Sequence, residues 1–408
     1  MTPGDRPHAL VIGGSLGGLF AAALLCRRGW SVDVYERVRE PLAGRGAGIV
    51  THPGQLRTLE QCGIRLDDSI GCEVVGRVAI APPGEIVARN ALRQTLSAWG
   101  RLHDALMSVF AHAHYHRGKA LERVEQAPDR VRACFADGSA AEGDLLIAAD
   151  GIRSSVRAQL LPEVKPAFAG YVAWRGLTAE RDLSAQSHAI LLDHMAFCLT
   201  PSSQALGYPV AGPTHSTAPG ERCYNFVWYR PAAEASELRR LCTDAAGKVH
   251  LPSMPPPLIR PDVIAEMRAT AERMLCPQLA EVVCKSREPF FQPIFDVESA
   301  RMVFGRVVLL GDAAFVARPH CGAGIAKAAA DAQALADALA SRNGSIDAAL
   351  AVYEEVRVRF GRWLVAEGRE LGNYLESLSV PQVRRPNAAA HHTPAGVLNE
   401  IAVPVAGL

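Results

Sequence analysis

Along the first part of the chain, apolar and polar positions spell out a strand, a glycine cluster, a helix and a second strand. His8 to Ile12 is a short apolar run, Gly13 to Gly18 is rich in glycine, Leu19 to Arg28 has helical period and is closed by Gly29, and Ser31 to Tyr35 is β-rich. The order predicts a βαβ unit ending near Glu36. Strand-like segments follow at Val74–Ile80 and Val131–Phe135, with a turn at Asp137-Gly138. The run Leu145–Ala149, ending at Asp150-Gly151, reads as a buried parallel strand.

From Ala167 to about Tyr229 the pattern changes to β-type segments carrying Tyr171, Trp174, Phe197, Tyr208, Phe226 and Trp228, separated by polar or Pro/Gly turns. This predicts a mostly antiparallel sheet. Residues 231–290 read as interrupted helix, with the Pro-rich stretch 252–261 as a stiff connector. Arg306–Leu310 then forms another apolar strand running into Gly311-Asp312, and Gly324 to Leu339 a long Ala-rich helix. The expected fold is therefore α/β, a Rossmann-like nucleotide-binding domain built from residues 1–165 and 292–380. A mostly antiparallel β-sheet substrate domain is inserted at 166–291, and the tail 381–408, without periodicity, is expected to be loosely ordered.

Composition narrows the partners. Across 408 residues, 43 Lys plus Arg stand against 42 Asp plus Glu, a balance that gives no reason to expect nucleic acid or an anionic membrane. The ten cysteines form no CxxC pair and read as reduced thiols without a disulfide framework. No apolar run reaches the ~20 residues of a membrane helix. These features predict a cytoplasmic protein acting on a small molecule, with a homodimer left open.

The glycine cluster, Gly13-Gly14-Ser15-Leu16-Gly17-Gly18, fits GxGxxG with Ser15 at the second glycine. Gly13 serves the turn and Gly18 the close packing of strand and helix. The free amides at the helix start, around Ser15 and Leu16, suit a pyrophosphate. Glu36 ends the second strand about 20 residues on, where a carboxylate accepts ribose hydroxyls, with Arg37 beside it. Two more elements follow in order: Asp150-Gly151 with Arg153 and Arg157, then Gly311-Asp312-Ala313-Ala314 with Arg318-Pro319-His320-Cys321-Gly322-Ala323-Gly324 opening a helix. Singly, each is a common turn.

Glycine loop, DG element and GD element in this order resemble the single-component FAD-dependent aromatic hydroxylases, the family typified by 4-hydroxybenzoate and salicylate hydroxylases. The resemblance runs from about residue 9 to 370. Gly170-Tyr171-Val172-Ala173-Trp174-Arg175-Gly176 resembles the members that act on hydroxypyridines. The resemblance implies bound FAD, NADH or NADPH as reductant, and dioxygen. Oxygen transfer through a flavin hydroperoxide would hydroxylate a hydroxylated aromatic or N-heteroaromatic ring. It also implies that Asp312, after Gly311, holds the ribityl or phosphate region and that Asp150 serves the nucleotide, with Arg153 and Arg157 as candidate phosphate contacts. Pro319 would border the dioxygen pocket, and Gly46, Ala47, Gly48 and Ile49 the other side of the flavin ring. Amides at Gly322, Ala323 and Gly324 would stabilise charge at the flavin N1 and O2 edge.

Three positions depart from the family: Phe315 replaces a histidine, Ala326 an asparagine, and Trp99 an arginine ahead of Leu102 and Leu106. Tyr208, His52, Trp228 and His320 are candidates to approach the substrate, a histidine or tyrosine helping to deprotonate its hydroxyl; a packed aromatic with a satisfied polar tip is the alternative. Arg175 is a candidate for an anionic substituent or for a bridge between domains. His112, His114 and His116 would share a face if they lie on a strand, where solvation explains them better than a metal. Cys321 has no partner cysteine and reads as packing. Three other activities remain open: a phenolic hydroxylase of natural-product biosynthesis, a dehydrogenase or reductase on the same fold, and a silent FAD-binding protein.

Overall fold

The computed structural model describes residues 6–42, 48–341, 345–380, 388–406 and 408. A six-stranded sheet carries the strands Val303–Phe304, Val307–Leu309, Leu145–Ala148, His8–Ile12, Ser31–Glu36 and Tyr115–Arg117 in that order. All neighbours pair in parallel except Val303–Phe304 with Val307–Leu309. Leu145–Ala148 is wholly buried, as a strand covered on both faces requires. The Leu16–Arg27 helix packs on the sheet and on the Gly324–Ser341 helix. Gly17 lets the two helices approach closely, since a Cβ there would lie 3.4 Å from that of Ala328. The βαβ unit, the DG and GD strands and the Ala-rich helix thus form as the sequence predicts.

An eight-stranded sheet holds the aromatic middle of the chain. Its order is Phe315–Val316, Phe290–Glu298, Ala167–Ala179, Cys223–Pro231, Ser203–Val210, His194–Thr200, Gly76–Ile80 and Ile86–Asn90. Pairing is antiparallel except between His194–Thr200 and Gly76–Ile80. Alternation along the strands sorts side chains to two faces. Val172, Trp174, Phe226 and Trp228 pack on the helices Pro261–Met274 and Pro277–Lys285, while Tyr171, Tyr208, Val227 and Tyr229 face the opposite way.

The sheet is wider than the expected insertion, because Gly76–Ile80, Ile86–Asn90 and Phe315–Val316 join it from either side of 166–291. The tail departs further. Residues 381–387 lie outside the described residues, but Pro394–Asn399 is a helix and Val397, Leu398 and Ile401 are buried against the large sheet. Short apolar residues one turn apart do this without a visible period. His112–His114 is a 3-10 turn instead of a strand, and His114 and His116 both bond Asp33, as does His8.

Candidate active site

Four turns converge at the carboxyl edge of the parallel sheet, the usual place for a ligand in such folds. Gly13 leaves the first strand at φ +105°, where its Cβ would lie 2.4 Å from the Ala149 carbonyl oxygen. Gly18 crosses it so closely that a Cβ would lie 1.9 Å from the Gly13 oxygen. Ser15 caps the helix by backbone alone, with no side-chain capping bond, so its hydroxyl and the first-turn amides are open to an anion. Leu16 is buried and anchors that turn. Glu36 is buried at the end of the second strand and accepts the amides of Gly14 (2.9 Å) and Val38 (2.9 Å). Arg37 is exposed beside it.

At the DG turn, one oxygen of Asp150 accepts the Ser155 amide (2.8 Å) and the other is buried without a partner. The Arg157 guanidinium donates to the carbonyls of Ala313 (2.9 Å) and Ile152, tying the DG and GD turns together. Arg157 is therefore a brace and not the phosphate contact expected; Arg153 opens onto the central cavity. Gly311, at φ +63°, donates its amide to Asp331 (3.0 Å). Asp331 is buried between Lys327 (3.3 Å) and Arg357 (2.6 Å), fixing the GD turn to the long helix.

The loop before that helix is held from behind. Arg318, 2% exposed, pairs with Asp296 (2.9 Å) and Glu376 (2.9 Å). Gly322 stands at φ +62° and its amide closes a turn on Pro319 (2.9 Å), so of the three expected amide donors only Ala323 and Gly324 remain free of backbone partners among the described residues. Lys327 donates its amide to Ala323 (2.7 Å), which starts the helix and leaves its first-turn amides pointing outward.

A cavity of about 520 Å³, a size typical of small-molecule sites, joins this loop to the large sheet. Pro319, Gly322, Ala323 and Gly324 form one wall with Asp312, and Gly48 and Ile49 another; Gly46 and Ala47 lie outside the described residues. Gly48 donates its amide to Asn225 (2.9 Å), and a Cβ there would meet the Tyr208 ring at 2.4 Å. The large sheet contributes Arg175, Met195, Leu206, Tyr208, Val227 and Tyr229 to the same cavity. The Nε atom of Arg175 is buried without a partner. Burial pushes the Tyr208 hydroxyl up to about 12 against the opposing charge of Arg175, so it stays protonated at neutral pH.

Three of the expected substrate residues do not line the cavity. Trp228 sits on the other face of its strand, where its indole N–H bonds Ser203 (3.0 Å) and Val227 and Tyr229 take the cavity side. His320 is fully buried behind the loop, bonded to the Tyr171 hydroxyl (2.9 Å). Burial and the nearby Arg318 charge bring its pKa down to about 3. His52, 1% exposed, bridges the Gly322 carbonyl (3.1 Å) and the Val405 amide (3.5 Å). A base drawn from these imidazoles is not at hand.

Trp99 lines the cavity and stacks on His103 (4.9 Å between ring centroids), with Leu102 and Leu106 buried below. Phe315 packs against Gly361, and Ala326 is buried. Cys321 is buried too, its thiol pushed up to about 12, which suits packing. Sequence reasoning missed Tyr229, Ile401 and Ala402 on the cavity wall. Tyr229 was findable from alternation with Trp228; the tail residues left no signal.

Open helix amides at Ser15, an orphaned acceptor at Asp150 and the carboxylate of Glu36, all at the carboxyl edge of the parallel sheet, fit a dinucleotide. Similarity to known proteins bears on which one. The model of an FAD binding domain matches residues 6–76 and 260–367, and that of a domain described as FAD binding domain-like matches 168–296. The chain is 32% identical to 2,6-dihydroxypyridine 3-monooxygenase of Paenarthrobacter nicotinovorans, over 90% of this chain and 91% of that protein. It is 30% identical to an FAD-dependent urate hydroxylase of Klebsiella oxytoca, over 89% and 88%. Among solved structures, 2,6-dihydroxypyridine-3-hydroxylase from Arthrobacter nicotinovorans superposes with a TM-score of 0.85 at 31% identity, over 91% of this chain and 93% of that one. Klebsiella pneumoniae HpxO complexed with FAD and uric acid gives 0.74 at 26%, over 92% and 90%.

Proposed function

Because this chain belongs to the single-component FAD-dependent aromatic hydroxylases, a family of monooxygenases, we propose that it hydroxylates a small, hydroxylated N-heteroaromatic ring of the dihydroxypyridine kind, with NADH or NADPH as reductant. The observation that carries this reading is the Arg175 side chain, its buried Nε without a partner among the described residues, lining a mostly apolar cavity together with Tyr208 and the loop residues Pro319 and Gly322 to Gly324. That arrangement suits a flat ring whose ionised oxygen meets the cation.

Bound FAD supplies the hydride acceptor and the centre at which dioxygen is activated. Glu36, Ser15 and the amides after Gly13 would hold its adenosine and pyrophosphate half, and Asp312 with the amides of Ala323 and Gly324 the flavin half. Arg175 would anchor and orient the substrate. The Tyr208 hydroxyl, held protonated, donates a hydrogen bond to the substrate oxygen. Met195, Leu206 and Val227 keep water from the ring. With no free imidazole on the wall, a ring that ionises readily by itself is favoured over a simple phenol. The large sheet is, in this reading, the substrate domain.

A panel of hydroxypyridines and phenols tests the proposal through NADH and NADPH oxidation by the flavin-loaded protein, with product mass read alongside. A hydroxypyridine that stimulates oxidation and gains one oxygen supports it. Stimulation without that gain points to a reductase, and activity confined to phenols would overturn the substrate class.

A further inference from the structure

Arg77, on the Gly76–Ile80 strand, is fully buried, and no carboxylate pairs with it among the described residues. Its guanidinium reaches instead the carbonyls of Ile401 (2.6 Å), Ala402 (2.6 Å) and Leu398 (3.3 Å), and the Gln94 side-chain oxygen (2.6 and 2.8 Å). Leu398 lies in the last turn of the Pro394–Asn399 helix, whose unpaired carbonyls a cation satisfies, and Ile401 and Ala402 follow just beyond its cap at Glu400. Asn90 adds a bond to Leu398 (3.2 Å) and Gln94 one to Ala402 (2.9 Å).

What Arg77 holds touches the site. Ile401 and Ala402 line the cavity. The Ala402 amide donates to the His320 carbonyl (2.7 Å), and the Ala402 Cβ lies 2.7 Å from where a Gly322 Cβ would stand. His52 fastens the same stretch from the other side: with Nδ1 accepting the Val405 amide, its Nε2 carries the proton and donates to the Gly322 carbonyl. Ala402 itself stands at φ +52°, a conformation that persists in a non-glycine residue only where its surroundings impose it.

We propose that the segment 394–406 is a working wall of the substrate cavity and that Arg77 is the positioning residue that seats it against the loop 319–324, excluding water while oxygen is transferred. The inference rests on the flavin reading above, but its mechanical half is independent of it. Arg77→Lys, Arg77→Gln and Ile401→Ala are compared with the parent protein. Three readouts apply: product formed per NAD(P)H consumed, iodide quenching of bound flavin fluorescence, and protease release of the tail from the apoprotein, with thermal melting as the check on folding.

Tail release should quicken in both Arg77 variants, more in Arg77→Gln. Iodide quenching should rise at least twofold, and coupling should fall several-fold with KM for NAD(P)H unchanged. Ile401→Ala, which keeps the bonds to Arg77 and removes only apolar contact, should lower coupling with less quickening of tail release than Arg77→Gln, and it decides the matter if the Arg77 variants do not fold. Faster release with unchanged coupling and quenching, or an Ile401→Ala protein as coupled as the parent, would overturn the proposal. A parent protein without flavin would instead sink the functional reading while leaving the protease result standing.

Discussion

Gly18→Ala is the smallest change that reaches the cofactor without touching it. A methyl group at Gly18 would lie 1.9 Å from the Gly13 carbonyl oxygen, more than an ångström inside any real contact, and that oxygen belongs to backbone that cannot rotate away. The helix start and the turn must separate by about 1 Å, an overpacking that costs about 1–3 kcal/mol. The same shift would swing the first-turn amides away from the pyrophosphate proposed to sit there. One charge-assisted hydrogen bond contributes about 1.5–3 kcal/mol, so its loss weakens FAD binding roughly 10- to 100-fold. The assay is reconstitution of apoprotein with FAD, followed by flavin fluorescence, with thermal melting beside it. Gly29→Ala is the control: Gly29 has positive φ, +88°, and open space around the missing side chain, so the change should lose stability and keep FAD affinity. A Gly18→Ala protein that binds FAD within twofold of the parent would refute the close-packing argument.

Asp331→Ala strands two buried cations, Lys327 and Arg357, and should lower stability to urea by about 3–5 kcal/mol, with FAD retention falling as the GD turn loosens. His320 gives a pH signature. Unfolded, its imidazole takes up a proton below about 6.5, but folded only near 3, so the unfolded state binds more protons and stability falls as pH drops through that window. From pH 6.5 to 5 the parent should lose about 1.6 kcal/mol more than His320→Gln, the slope rising toward about 1.4 kcal/mol per unit below the unfolded pKa, and equal slopes in urea titrations would contradict the burial argument. Arg175→Met should raise KM for ionisable hydroxypyridines roughly 10- to 100-fold while KM for NAD(P)H stays within twofold, a split that steady-state kinetics reads directly.

The turns proposed to hold the nucleotide were legible as structure because each of them has a local cause. Gly13 and Gly18 answer steric demands, Glu36 ends a strand and Asp312 sits in the turn just after one, and helix starts expose amides wherever they occur. The substrate half was legible only as composition. Trp228 and Tyr229 are equally aromatic neighbours, and which of them meets the ligand depends on the face that the Pro261–Met274 and Pro277–Lys285 helices cover, a matter of tertiary packing. His52 and His320 looked like chemistry because imidazole can do chemistry; burial among backbone carbonyls and a tyrosine made them fasteners. The tail was opaque for a further reason. Beyond the few apolar residues it buries, its polar hold on the molecule comes from Arg77, distant in sequence, and from the carbonyls of its own backbone, and neither leaves a trace in hydrophobic period.

The central claim, that this cavity inserts one atom of dioxygen into a hydroxylated ring, is tested most directly by turnover under ¹⁸O₂ with the hydroxypyridine that best stimulates NAD(P)H oxidation. The account predicts product carrying one ¹⁸O atom per molecule formed. Product whose new oxygen comes from water, or ring oxidation with no oxygen gained, would contradict it.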